Sequence, residues 1–343
     1  MRAGVIKGKH HFELAEVDEP RAAADEVVVD VLRCGICGSD VHAYVEGWPY
    51  APGICGHEWV GVVRELGAGV SGVKEGDRVA AGVAPGCGRC AECRANLPDY
   101  CSVARATYAG RLAPRNGGFA RSMALHAARL CKVPDALEVD EAALMEPASV
   151  ALHGVRRSLL RVGDVACVVG CGPIGLMTIQ CAKLAGAGHV IAVEPDERRR
   201  AIAREVGADS AVAPGGELRD HVNTLTGGLR ADIAYDCAGV PATLQQSVDM
   251  VRRGGSVMMI GVSGENATVA PMRWLSKEVT VGTAMVFTLD EMRIVGDLIA
   301  DGRIRTSPLH NGTIALDALG QTIDDLANRR VDAIKILVDP TAG

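Results

Sequence analysis

A strand-like run, DVACVVG, passes straight into Gly170-Cys171-Gly172-Pro173-Ile174-Gly175 and then into the helix-type stretch PIGLMTIQCAKLAGA. No other feature restricts the fold so far. A G-x-G-x-x-G at a strand-to-helix junction asks for a tight turn at the first glycine, a backbone open to a pyrophosphate at the second and close helix–strand packing at the third, and the helix start offers unpaired N–H groups to an anion. A glycine turn alone would carry little weight in a chain with 41 glycines. Here HVIAVE, DERRRAIAREVGA, ADIAYD, GSVMMIG and EVTVGT follow it. Strand and helix types alternate, which calls for βαβ units and a parallel sheet.

Glu194 closes HVIAVE, about where an acid accepts hydrogen bonds from an adenosine ribose. A carboxylate there repels a 2′-phosphate, so the cofactor expected is NAD rather than NADP. Arg198, Arg199 and Arg200 follow it. Their simplest reading is a solvated helix face, but Arg199 stays a candidate cofactor contact because such a cation attracts a phosphate.

A length of 343 residues suits two domains, one of them assembled from separated segments. From about Val27 to Arg129 the runs EVVVDVL, WVGVVREL and DRVAAGV, broken by Gly, Pro and Asp turns, read as strand and loop. Beyond about Thr288 come a helical run, an irregular piece, a second helix and a closing strand, AIKILVD, expected to return and complete the first domain. The formal charge of −6 and the lack of a basic run leave no electrostatic footprint for nucleic acid or an anionic membrane. The N-terminus has no apolar signal region and no stretch of about 18 apolar residues follows, so a cytoplasmic protein with neither partner is expected.

Twelve cysteines in a long chain of this kind point to metal or catalysis rather than to a disulfide framework. Cys87, Cys90, Cys93 and Cys101 fall within fifteen residues. Four thiolates satisfy tetrahedral Zn²⁺ with no open position, a structural site. The first three share the bacterial ferredoxin spacing, but the fourth comes after seven residues rather than three and no proline follows it, which disfavours an iron–sulfur cluster. A second, mixed set comprises Cys37, His57-Glu58 and Glu146. One thiolate, one imidazole and a carboxylate make an incomplete shell with room for water or substrate, the mark of a catalytic zinc. Cys131, Cys167, Cys171, Cys181 and Cys237 lie scattered in apolar segments and read as small hydrophobes; Cys34 and Cys55 are assigned to packing.

Together CGICGSDVH (34–42), GHEWVG, the CGRCAEC cluster ending at Cys101, NGGFA (116–120), EPASVALHGV (146–155) and VVGCGPIGLM resemble the zinc-dependent medium-chain alcohol dehydrogenase family across essentially the whole chain. The sorbitol, butanediol and threonine dehydrogenase branches are nearest. The resemblance implies a chaperonin-10-like β-rich catalytic domain (1–150 and 288–343), a doubly wound, six-stranded parallel Rossmann domain (151–287) binding NAD, and an active site in the cleft between them. It implies two zinc ions per chain and a homo-oligomer, dimer or tetramer. Cys37 and His57 would be zinc ligands, while Glu58 and Glu146 occupy positions of either a ligand or a supporting carboxylate. Asp40 would orient His57, and Ser39 and His42 would relay protons. The implied reaction is reversible oxidation of a secondary alcohol, such as a polyol, vicinal diol or cyclitol, by hydride transfer to NAD. A threonine-type amino alcohol dehydrogenase is the alternative within enzymes. A non-catalytic NAD-responsive protein is the alternative outside them, against which the intact relay residues count. Trp48 and Tyr50 are candidate pocket walls.

Overall fold

The β-type runs of the first half and the end of the tail make one sheet. The computed structural model describes residues 1–47, 53–82, 86–103 and 117–342, so Trp48, Tyr50 and Asn116 lie outside the described residues. Contacts divide the chain into one unit of Met1–Glu146, Thr288–Ala300 and His310–Gly343 and another of Pro147–Phe287 and Asp301–Leu309.

In the first unit the strands are β1 (Arg2–Gly8), β2 (His11–Glu16), β3 (Glu26–Gly35), β4 (Gly53–Ile54), β5 (Glu58–Leu66), β6 (Arg78–Ala81), β7 (Ser122–His126) and β8 (Leu130–Lys132), with β15 (His310–Ala315) and β16 (Lys335–Asp339) from the tail. The larger sheet runs β15-β16-β3-β5-β6-β8, with β7 also on β3, and a smaller one runs β2-β1-β4. Both β5 and β16 lie antiparallel to β3, Glu58 and Leu337 each standing opposite Gly35. The end of β3 and the starts of β5 and β16 therefore share one edge of the sheet. Val27, Val29 and Val31, alternate residues of β3, enter the same core as Val63, Val79, Met123 and Leu125. Leu316, Leu319, Ile323 and Val338 of the tail fill the rest of it. The β1–β2 hairpin and β15 have no counterpart in the sequence reading, which took the latter for irregular chain.

The second unit holds β9 (Val165–Val169), β10 (His189–Val193), β11 (Ser210–Val212), β12 (Ala231–Asp236), β13 (Val251–Met259) and β14 (Thr280–Thr283), all parallel, in the order β11-β10-β9-β12-β13-β14. Counted within the unit this is 3-2-1-4-5-6, the order of dinucleotide-binding folds, which reverses beside β9. Burial of β9 and β10 on both faces explains their continuous apolar sequence. The segment Asp301–Leu309 is tied to this unit by Gln180, whose Nε2 donates to the Arg305 carbonyl at 3.1 Å and whose Oε1 accepts from the Arg305 N–H at 2.7 Å.

The glycine run links β9 to the helix Pro173–Leu184, which has proline at its first position, where no N–H is missed. Gly170 has φ +89°, a left-handed turn. At Gly175 a Cβ would stand 1.8 Å from the Gly170 carbonyl oxygen, whereas at Gly172 it would meet nothing within 4 Å. The third glycine thus serves packing and the second leaves backbone open. Gly175→Ala should cost about 1–3 kcal/mol of stability by overpacking, while Gly172→Ala should leave the melting temperature almost unchanged. Equal melting temperatures for the two variants would contradict this close approach.

Candidate functional site

The edge where β3, β5 and β16 meet collects the residues of the mixed set. Cys37 follows β3 and caps the helix Gly38–Glu46 with extended backbone, φ −88°. Asp40, at the third helical position, returns its Oδ2 to accept the Cys37 N–H at 2.9 Å. His57 and Glu58 stand where β5 begins, and Glu146 lies in the first turn of the helix Met145–Arg157.

One donor atom each from Cys37, His57 and Glu58 lie within 4.8 Å of one another. Glu146 is not part of that triad, but its charge acts on His57 and Glu58. Asp40 is fully buried, and its Oδ1, without a hydrogen bond among the described residues, stands 4.0 Å from His57 Nδ1. That is an ion-pair separation, longer than a hydrogen bond. Asp40 therefore fixes Cys37 directly and faces His57 across a gap. Ser39 Oγ is likewise buried without a hydrogen bond among the described residues. His42, three positions on and so on the same helix face, places Nδ1 3.4 Å from Glu46 Oε1 with 41% of its side chain exposed.

Electrostatics show what such a site accepts. Burial opposes an imidazolium at His57, yet Cys37, hydrogen-bonded to it, and the carboxylates of Asp40 and Glu146 hold its proton affinity well above the ordinary histidine value. Burial, with Glu58 nearby, pushes Glu146 up to about 7. The His57 shift reports a surplus of negative charge, and the Glu146 shift reports chiefly burial with Glu58 adding to it; a cation placed among these groups would relieve both. The soft sulfur, the imidazole and the carboxylate are a zinc-type donor set, and with the orphaned Asp40 oxygen they fit Zn²⁺ with a position to spare.

The second cluster is self-contained. Donor atoms of Cys87, Cys90, Cys93 and Cys101 lie within 4.8 Å of one another. The N–H groups of Cys87, Cys90 and Cys93 donate to the sulfurs of Cys101, Cys87 and Cys90 at 3.3, 3.3 and 3.4 Å. Such bonds favour thiolates over thiols. The backbone at Arg89 and Cys90 draws the Cys87 thiol below its usual range. Burial and the neighbouring sulfurs push the Cys93 thiol the other way, up to about 12. Four converging sulfurs, three of them held by N–H groups, suit a closed zinc site.

In the second unit the Glu194 carboxylate is already engaged, Oε2 accepting from the Cys171 N–H at 2.7 Å and Oε1 from the Asp196 N–H at 3.1 Å. It anchors the glycine turn to the end of β10 with its charge fixed beside the loop. Asp196 caps the helix Glu197–Glu205 by accepting the Arg199 N–H at 2.8 Å, and Arg200 Nη1 donates to the carbonyls of Glu194 and Pro195.

Two family models match the chain: the alcohol dehydrogenase GroES-like domain over residues 23–135 and the zinc-binding dehydrogenase over 173–301. An (R,R)-butanediol dehydrogenase of Bacillus subtilis is 32% identical, over 99% of this chain and 100% of its own length. The chain belongs to the zinc-dependent medium-chain alcohol dehydrogenase family. Another relative, the 2-dehydro-3-deoxy-L-galactonate 5-dehydrogenase of Pseudoalteromonas atlantica, is 31% identical over 100% of this chain and 99% of its own. Among solved structures, a zinc-binding dehydrogenase of Sinorhizobium meliloti 1021 bound to NADP superposes with a TM-score of 0.86, at 29% identity and 99% coverage of both chains.

This dehydrogenase is accordingly an oxidoreductase with a GroES-like unit and a Rossmann unit. No helix among the described residues is long and apolar enough to cross a membrane. The scattered cysteines Cys131, Cys167, Cys171 and Cys181 are buried and Cys237 is partly so. Cys34 is packed so closely that a Cβ at Gly56 or Gly118 would come within 2.6 or 2.8 Å of its sulfur.

The sequence reading missed Lys335 in the site of this dehydrogenase. Its Nζ donates to Glu58 Oε2 at 2.5 Å and to the Ile36 carbonyl at 2.9 Å, with both side chains 2% exposed. A lone lysine in a closing strand carries no motif; a charge among the apolar residues of AIKILVD was the available signal. Gly35 belongs with it, since a Cβ there would stand 2.2 Å from Glu58 Oε2.

Replacing Cys93 with Ser is expected to remove zinc from the four-sulfur cluster and to lower the melting temperature, read by elemental analysis and thermal denaturation. Unchanged zinc and stability would show that the cluster holds no metal.

Proposed function

We propose that this dehydrogenase oxidises a secondary alcohol carrying a second polar group, a vicinal diol, polyol or cyclitol, to the ketone, reversibly and with NAD as hydride acceptor. The observation that carries the reading is the convergence of Cys37, His57 and Glu58 donors in a chain whose glycine turn leaves open backbone at Gly172. Names of relatives support the substrate class: butanediol dehydrogenase and 2-dehydro-3-deoxy-L-galactonate 5-dehydrogenase both denote substrates with neighbouring oxygen functions.

Cys37 and His57, with Glu58, would hold the catalytic zinc, and Glu146 stands beside them as a further carboxylate. Zinc supplies a Lewis acid that lowers the pKa of an alcohol oxygen toward neutrality. Ser39 would accept the substrate hydroxyl proton while passing its own to His42, its buried oxygen having no other hydrogen bond among the described residues. His42 would hand that proton on toward water, as its exposed position allows. Asp40 keeps Cys37 placed through the 2.9 Å bond to its N–H. A nicotinamide dinucleotide supplies the redox chemistry. Gly170, Gly172, Pro173, Ile174 and Gly175 would seat its pyrophosphate at the helix start, with Glu194 facing the adenosine ribose and Arg199 beside it. Zinc held by the four cysteines would be structural.

A carboxylate rather than another thiolate beside the metal makes a wetter site, able to pair a second substrate hydroxyl. Sites built for such pairing reject analogues that lack it by roughly 10⁴ or more when the partners are buried. The test is kcat/KM from the absorbance of reduced nicotinamide across 2,3-butanediol, sorbitol, a cyclitol, threonine, ethanol and 1-butanol. A diol, polyol or cyclitol should lead. If ethanol or 1-butanol outranks them all, the substrate class is wrong, and threonine in the lead would make it an amino alcohol dehydrogenase.

Cofactor choice is tested separately. The fixed Glu194 charge should make NAD outperform NADP, and Glu194→Ala should cut that ratio by about tenfold to a hundredfold, since a charge-assisted hydrogen bond contributes about 1.5–3 kcal/mol. Steady-state kinetics showing wild-type preference for NADP would remove the ribose assignment.

A further inference from the structure

Lysine is almost never fully buried without a partner, because taking its ammonium from water costs several kcal/mol. Lys335 is 2% exposed and meets that cost with two bonds, to Glu58 Oε2 at 2.5 Å and to the Ile36 carbonyl at 2.9 Å. Its amino group is steadied by the sheet itself: Ile36, whose carbonyl it bonds, donates its own N–H to the Ile336 carbonyl at 3.0 Å, one residue along from Lys335. Glu58 Oε2 is confined from a second side. The Gly35 α-carbon lies so close that a methyl there would stand 2.2 Å from this oxygen. One oxygen of Glu58 is thus gripped by charge and by shape.

A carboxylate binds a metal through one oxygen or through both, and zinc expands readily from four donors to five. With Oε2 bonded to the Lys335 ammonium, whose charge repels a metal ion, Oε1 is the stronger donor that Glu58 has left to give. Cys37, His57 and one Glu58 oxygen are three donors, which leaves a tetrahedral ion one position for the alcohol. If Oε2 were free it could join the ion and occupy the room that substrate needs. Cys37 and Glu146 also act on the Lys335 charge, so the ammonium offsets part of the negative charge of the whole donor set.

We propose that Lys335 is a positioning residue that restricts Glu58 to a single donor oxygen and so preserves a coordination position for substrate. This rests on the reading of the mixed set as a zinc site. The prediction has opposite signs for two substitutions. Lys335→Met keeps the length of the side chain and removes the charge, freeing Oε2 for the metal. Lys335→Arg presents a planar fork that pairs with both carboxylate oxygens and draws Glu58 off the metal.

The measurements are the rate at which zinc leaves the mixed site to a chelator and the visible absorption of protein with cobalt exchanged into that site alone. Lys335→Met should release zinc about tenfold more slowly, and Lys335→Arg about tenfold faster, the lower end of what partners of metal ligands contribute. Cobalt in the wild type should show the strong absorption of four-coordination, and in Lys335→Met the weaker absorption of five. Release from Lys335→Met at the wild-type rate or faster, with an unchanged cobalt spectrum, overturns the proposal. Zinc retained by the four-cysteine cluster reports that a variant is folded. If neither variant keeps it, the wild-type spectrum decides: four-coordinate cobalt supports the proposal and five-coordinate cobalt overturns it. A wild type that binds zinc at the four cysteines alone would instead refute the zinc reading, and this proposal with it.

Discussion

Buried negative charge at one edge of the first unit's sheet is the constraint around which that unit is arranged. Asp40 and Glu58 are almost wholly shielded from water, and the Cys37 thiol and Glu146 stand with them. An ionised carboxylate left unpaired in such surroundings would cost several kcal/mol. Every feature nearby answers this cost: the Cys37 N–H to Asp40, the Lys335 ammonium to Glu58 and the raised proton affinity of His57. The same excess of charge that burdens the fold makes the site receptive to a divalent cation. Stability and cation affinity draw on one electrostatic arrangement.

The two cysteine-containing clusters bring their donor atoms together in opposite ways. The four-cysteine cluster draws its ligands from one short segment and takes its supporting N–H groups from its own backbone. It needs little from the rest of the chain. The mixed set depends on the register of three strands, with Glu58 and Leu337 both opposite Gly35. A one-residue slip of β5 would turn Glu58 to the other face of the sheet. A site with an open position gains from such a frame, because its geometry is then set by paired strands rather than by a loop.

What was legible in the sequence follows the same division. The glycine turn, the four cysteines and the βαβ alternation are short-range patterns, and each has its counterpart in the structure. Strand β11 escaped notice because three residues, SAV, give no periodicity, and its place is set by β10 beside it. The β15 segment, HNGTIA, has a weakly apolar sequence and owes its strand form to pairing with β16. Lys335 and Gly35 were invisible as site residues for a related reason. Neither carries a local motif, and their roles exist only once β3, β5 and β16 are side by side. Asp40 was expected to orient His57; its capping bond to Cys37 emerges only from the helix start at Gly38.

The pairing of Glu58 with Lys335 spans 277 residues of sequence. During synthesis the chain therefore presents Cys37, His57 and Glu58 long before their ammonium exists, while the four cysteines are complete within fifteen residues of one another. Metal captured early by the mixed set would meet a glutamate free to bind through both oxygens. On the zinc reading, the pairing of β16 with β3 would then confine that glutamate to one oxygen, so the open position would depend on a residue made 277 positions after the ligand it governs.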